Sequence, residues 1–111
     1  MPVTWAFQDE VLTVSVIGDY TFAEMRQAVA DALAALGRAA VPAILFDGRS
    51  SLAVMSPDEI RARADWMASL LATQLTARCA LLIGPSPFRR RLVDAGLTHL
   101  GPAGAGLTVF T

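Results

Sequence analysis

The residues best suited to chemistry in this 111-residue chain are hydroxyl, carboxylate and guanidinium groups at the ends of buried runs. In "AVMSPDEIRARADWM", Ser56 could either accept a regulatory phosphoryl group or begin a helix. Ser at the N-cap, Pro at the next position and Glu three residues on are typical of a helix start. Because Asp58 and Glu59 would repel a phosphate there, we favour the N-cap interpretation.

A second set of residues could bind an anion. Ser86, Arg89 and Arg91 open a predicted helix, and a helix N-terminus beside arginines can hold a phosphate or carboxylate. Ligands of an open parallel sheet bind at the carboxyl ends of its strands. The residues predicted along that edge are Thr21, Asp47, Arg49, Ser50, Ser56 and Ser86, and the anion site is expected near Ser86, Arg89 and Arg49. The alternative is a solvated polar rim, because consecutive arginines on a helix point in different directions.

Several functional classes find no support in the residues. The net charge of −1 argues against nucleic-acid binding. His99 is the only histidine and has no cysteine near it in sequence, so we expect no zinc site. Cys79 lies in the apolar run "CALLI" and is expected to be a small buried hydrophobe. No nucleophile–base pair is evident, and we expect neither an enzyme nor a bound cofactor.

The elements that must position these residues begin with strands. "VTWAFQ" and "VLTVSVIG" alternate with a period of two and are joined by a short turn, which predicts an antiparallel hairpin. "VPAILFDG" and "RCALLIG" are short apolar runs of the kind found in central parallel strands. "AGLTVFT" is predicted to be the last strand.

Three helices alternate with these strands. "TFAEMRQAVADALAALG" has apolar residues every three or four positions, a capping box at Thr21 and Glu24, and a stop at Gly37. The second helix is predicted over 56–75. The third is predicted over 86–96, opened by Ser86 and closed by Gly96, with "THLG" as loop.

The order β-β-α-β-α-β-α-β predicts a single α/β domain over residues 1–111. Its mixed sheet has about five strands: an N-terminal antiparallel hairpin, with the remaining strands parallel. Right-handed crossovers in sequential order place the helices mainly on one face, so the other face is a candidate homodimer surface. Trp66 lies off the apolar stripe of the second helix and is a candidate interaction residue.

This order, together with "VLTVSVIGDYTFAEMRQAV" and "AILFDGRSSLAVMSPDE", resembles the STAS superfamily of anti-sigma-factor antagonists, or its branch that is similar to lipid-binding proteins. In that family the third strand ends in Asp, and a Ser-bearing motif opens the next helix. Asp47 and Ser56 occupy the matching positions. The resemblance implies a bacterial regulatory module with an STAS-like strand–helix superhelix.

Two functions therefore remain open. The first is a non-enzymatic module that binds an unknown protein partner through the start of the second helix and the loop Gly48–Met55. The alternative is a binder of a small apolar or anionic-headed molecule. No apolar run in the sequence approaches a length of about 18 residues, which a membrane span needs. The N-terminus is unlike a signal peptide, so a cytoplasmic location is expected.

Overall fold

A computed structural model describes residues 2–37, 41–52, 55–73, 78–104 and 106–111. The elements in chain order are β1 (Val3–Gln8), β2 (Val11–Gly18), α1 (Phe22–Leu36), β3 (Ala43–Ser51), α2 (Pro57–Thr73), β4 (Arg78–Leu82), α3 (Pro87–Leu100) and β5 (Leu107–Phe110). Residues 53–54 of the predicted loop, 74–75 of the predicted second helix and 105 of the predicted last strand lie outside the described ranges. No helix within those ranges is both long and apolar enough to cross a bilayer.

The five strands form one sheet in the order β1-β2-β3-β4-β5. β1 pairs antiparallel with β2, and each of the other neighbouring pairs is parallel. Asp9 and Glu10 make the hairpin turn with positive φ angles of 51° and 64°, the backbone sign that a two-residue type I′ turn requires. The predicted fold class, a mixed sheet that begins with a hairpin, is therefore confirmed.

One face of the sheet carries the hydrophobic core. Leu12 and Val14 of β2 and Ile44 of β3 are at most 1% exposed and pack with the buried residues of α1. All three helices lie over this face, as right-handed crossovers in sequential order demand. Residues of the opposite face, such as Leu45 and Ala80, are only half-buried because no helix lies on them.

Two sequence-based boundaries are wrong. β3 continues through Arg49 to Ser51, because a bulge opposite Ser15–Ile17 lets residues 50 and 51 keep pairing with β2. The expected loop therefore begins at Leu52 rather than at Gly48. α3 does not end at Gly96 but continues to Leu100, so His99 is helical.

Gly96 lies inside α3 because it faces α2 closely. A Cβ atom built there would lie 3.5 Å from Ile60 Cγ2 and 3.6 Å from Ala64 Cβ. The small residue lets the two helices approach each other, and a hydrogen bond between His99 Nε2 and Asp65 Oδ1 (2.8 Å) joins them further along. A glycine that looks like a helix stop in the sequence is thus a helix–helix contact.

Candidate functional site

The start of α2 is built as a capping box. The backbone N–H of Glu59 donates to Ser56 Oγ at 3.2 Å, and the Ser56 N–H donates to Glu59 Oε1 at 3.3 Å. Thr21 and Glu24 make the same pair of bonds at the start of α1. The structure therefore places Ser56 as predicted, with its hydroxyl used to satisfy an N–H group of the helix end.

Replacing the cap tests this role. Ser56→Ala should lower the free energy of unfolding by about 1 kcal/mol, and Ser56→Asp should keep most of it, because Asp is an equally good N-cap. Urea unfolding at neutral pH measures both. Ser50→Ala, at an exposed serine of β3, is the matched control and should change little. An equal loss for Ser56→Asp and Ser56→Ala would contradict the cap.

Asp47 and Arg49 form an ion pair at the bulged end of β3. Arg49 Nη2 lies 2.9 Å from Asp47 Oδ2, and Arg49 Nε donates to Oδ1 at 3.0 Å. The side-chain hydrogen bond from Arg49 holds the pKa of Asp47 below its ordinary value. Ser50 is exposed beside them. The pair satisfies its own charges, so these residues are not arranged to receive an anion.

The predicted anion site near α3 is only partly assembled. Ser86 caps the helix, with its hydroxyl accepting from the Arg89 N–H at 3.4 Å. Arg89 reaches to β3, where its Nη2 donates to the Ser51 carbonyl oxygen at 2.9 Å. Arg91 is exposed. Arg89 thus ties α3 to the carboxyl edge of the sheet, and Arg91 takes no part in that contact.

A cavity of about 140 Å³ lies between the sheet and helices α2 and α3. The sheet side is lined by apolar residues of four strands, among them Val16, Phe46, Leu81 and Leu107. The helix side is lined by Ile60, Ala64 and Met67 of α2 and by Leu92, Val93, Gly96, Leu97 and Leu100 of α3. Because α3 packs mainly on α2, the space between α3 and the strands is left unfilled.

Arg63 is a cavity-lining residue that sequence reasoning missed. It is only 7% exposed, and its Nη1 donates to Tyr20 Oη at 2.8 Å. Its guanidinium also lies over the rings of Tyr20 and Phe22, at 5.0 and 5.4 Å from their centroids. The available signal was its position three residues after Ile60 and four before Met67, which places an arginine on the apolar stripe of α2.

Arg63 has an unsatisfied donor. Its Nε is buried and has no hydrogen-bond partner among the described residues. The ion pairs found in the described ranges join other arginines to carboxylates and do not include Arg63. Burying an ion costs on the order of several kcal/mol, so a buried guanidinium without a counter-ion is unusual in a stable protein.

Trp66 is used mainly in packing. Its ring makes edge-on contacts with Phe22 and Phe46, with centroid distances of 5.6 and 5.8 Å, and it is partly buried against the core. An interaction role would have to use the remaining exposed part of the ring.

The cysteine thiol and the His, Asp and Glu side chains of the described ranges are not arranged as a reactive or metal-binding site. Cys79 is 1% exposed, and burial raises the pKa of its thiol to about 12, so it is a neutral, packed side chain near pH 7. Across the described ranges, no three His, Cys, Asp or Glu side chains group closely enough to hold a metal ion. The functional possibilities therefore centre on the cavity.

Comparison of the sequence with protein-family models and with curated proteins finds no match. The interpretation of the site therefore rests on its own geometry: an apolar space with Tyr20, Ser51, Arg63 and Arg89 as the polar residues of its lining. Such a concave space, lined by hydrophobic side chains and carrying a few polar groups, is the usual form of a small-molecule site.

Proposed function

We propose that this chain is a non-enzymatic binding protein that holds a small, largely apolar molecule between its sheet and helices α2 and α3. The observation that carries the proposal is the 140 Å³ cavity and its aliphatic and aromatic lining. Close packing normally leaves few spaces larger than a water molecule between packed elements, so an apolar space of this size is one in which an occupant would gain favourable contacts.

The volume limits the occupant. An apolar cavity of about 150 Å³ is large enough to bind benzene. Pockets for drug-sized ligands have about 300 Å³ or more. We therefore propose a molecule with one aromatic ring or a short branched chain, rather than a long-chain lipid.

Thermal unfolding with toluene tests this function. Toluene is a neutral probe of one ring, and binding to the folded state alone should raise the Tm as its concentration rises. An increase of several degrees near saturation supports the proposal. An unchanged or lowered Tm at every concentration would contradict it.

A second proposed function is the regulatory interaction module that the STAS resemblance implied. A specific observation favours an interaction surface: the helix-free face of the sheet carries Leu45, Ala80 and the 52% exposed Phe110. Apolar residues grouped on an exposed face are typical of protein contact sites. We propose that a second copy of the chain covers this face in a regulatory homodimer.

Light scattering of purified protein tests the second proposal. Thr13 pairs with Leu45 of the helix-free face, and Ser15, two residues further along β2, lies on the same face. Ser15→Arg should therefore convert a dimer into a monomer by introducing a charge at the contact. Ala34→Arg, at an exposed position of α1, is the matched control and should remain dimeric. A monomeric wild-type protein, or a Ser15→Arg variant that stays dimeric, would rule out this interface.

A further inference from the structure

The cavity has a charge that its described surroundings do not balance. Arg63 lines it, and no Asp or Glu is among the described lining residues. Arg89 bonds the Ser51 carbonyl at the sheet edge, whereas Arg63 is only 7% exposed and its Nε donates to no acceptor of the described residues. A buried donor without a partner carries its full desolvation cost, which an acceptor from outside the chain would relieve.

We infer that the cavity takes a monocarboxylate whose anionic head bonds Arg63 and whose apolar body occupies the space between α2, α3 and the sheet. This inference rests on the proposed binding function and adds the charge and chemical class of the occupant. The buried cationic side chain of Arg63 in the cavity lining points to the anion, and the apolar walls and the volume point to a body of about one ring.

A carboxylate fits these residues better than a phosphate. The guanidinium has a fork of N–H groups that matches the two oxygens of one carboxylate. Nη1 donates to Tyr20 Oη, so the remaining N–H groups of the guanidinium are the ones left for a ligand. One buried cation neutralises one negative charge, whereas a doubly charged phosphate needs a second cation, and Arg89 already donates to the Ser51 carbonyl oxygen at the sheet edge.

Tyr20 acts as a positioning residue. Its hydroxyl accepts from Arg63 Nη1, and its ring stacks beneath the guanidinium, as does the ring of Phe22. These contacts orient the cation without neutralising it. Arg63 therefore keeps its full charge for an incoming anion.

The test compares benzoate with benzamide, which has the same shape and no charge, on the wild-type protein. Isothermal titration should show benzoate binding at least about tenfold tighter, because benzamide has no negative charge and its NH2 group cannot accept the second hydrogen bond that a carboxylate oxygen accepts. Equal affinities would overturn the inference. Toluene separates the two proposals: toluene binding with no preference for benzoate leaves the binding function and removes only the carboxylate, and no binding of any probe removes both.

Arg63→Met supplies the variant test. It should weaken benzoate binding about tenfold or more, change toluene binding less than about threefold, and leave the Tm of the empty protein equal to or above that of wild type, because an unpaired buried charge is gone. Arg61→Met, on the exposed side of the same helix, should bind benzoate like wild type. A fall in Tm with unchanged benzoate affinity would show Arg63 to be structural. Tighter binding of inorganic phosphate than of benzoate would also contradict the proposal.

Discussion

Leu97→Phe is expected to abolish toluene binding while leaving the protein folded. Leu97 lies on the face of α3 that lines the cavity, and a larger ring there fills the space that the ligand would occupy. The toluene-dependent rise in Tm should disappear. The free energy of unfolding without ligand should stay the same or increase, by up to about 2 kcal/mol, as for other cavity-filling changes.

Leu45→Phe is the matched control for this variant. It makes the same substitution on the helix-free face of the sheet, where Leu45 is half-buried and does not line the cavity. We expect toluene to raise its Tm as much as that of wild type. If Leu97→Phe keeps the full response, the ligand binds elsewhere and the cavity is not the site.

Leu12→Ala is expected to cause the largest loss of stability. Leu12 is fully buried in the centre of the core, paired with Ile44 on the neighbouring strand. Removing its side chain should lower the free energy of unfolding by about 2–5 kcal/mol, through lost burial and the cavity that remains. Urea unfolding followed by circular dichroism measures the change.

The same substitution at Leu52 is the control. Leu52 is 70% exposed beside the end of β3, so Leu52→Ala should change stability by less than about 0.5 kcal/mol. Similar losses for the two variants would mean that the core is not centred on β2 and β3. That result would also remove the basis for placing the cavity beside it.

Much of the fold follows from short-range patterns in the sequence. Three kinds of local pattern predicted elements that the structure contains. They are the alternation in β1 and β2, the capping residues Thr21 and Ser56, and the apolar runs of β3 and β4. The crossover rule then gave the placement of the helices on one face. These features depend on residues that are close in sequence, so they can be predicted from one sequence alone.

The features that sequence reasoning missed depend on tertiary contacts. Gly96 reads as a helix stop, but its role is set by Ile60 and Ala64 of another helix. The bulge in β3 appears only when its register with β2 is known. The cavity arises because α3 packs on α2 rather than on the strands. No local sequence pattern encodes how far α3 lies from the sheet.

The candidate site was predicted in part. Arg89 was identified at the sheet edge and does line the cavity, whereas Arg91 is exposed and Arg49 is paired with Asp47. Arg63 escaped notice because arginine is usually solvated. Its burial depends on the rings of Tyr20 and Phe22, which come from a distant part of the chain.

The most direct test of the central claim is a methyl-labelled NMR titration with toluene. The methyl groups of Met25, Met55 and Met67 belong to residues that line the cavity, whereas those of Leu45 lie on the opposite face of the sheet. We predict nuclear Overhauser contacts from the toluene ring to the methionine methyls and none to Leu45. Contacts to Leu45 alone, or no contacts to the three methionines at saturating toluene, would contradict a ligand site between the sheet and helices α2 and α3.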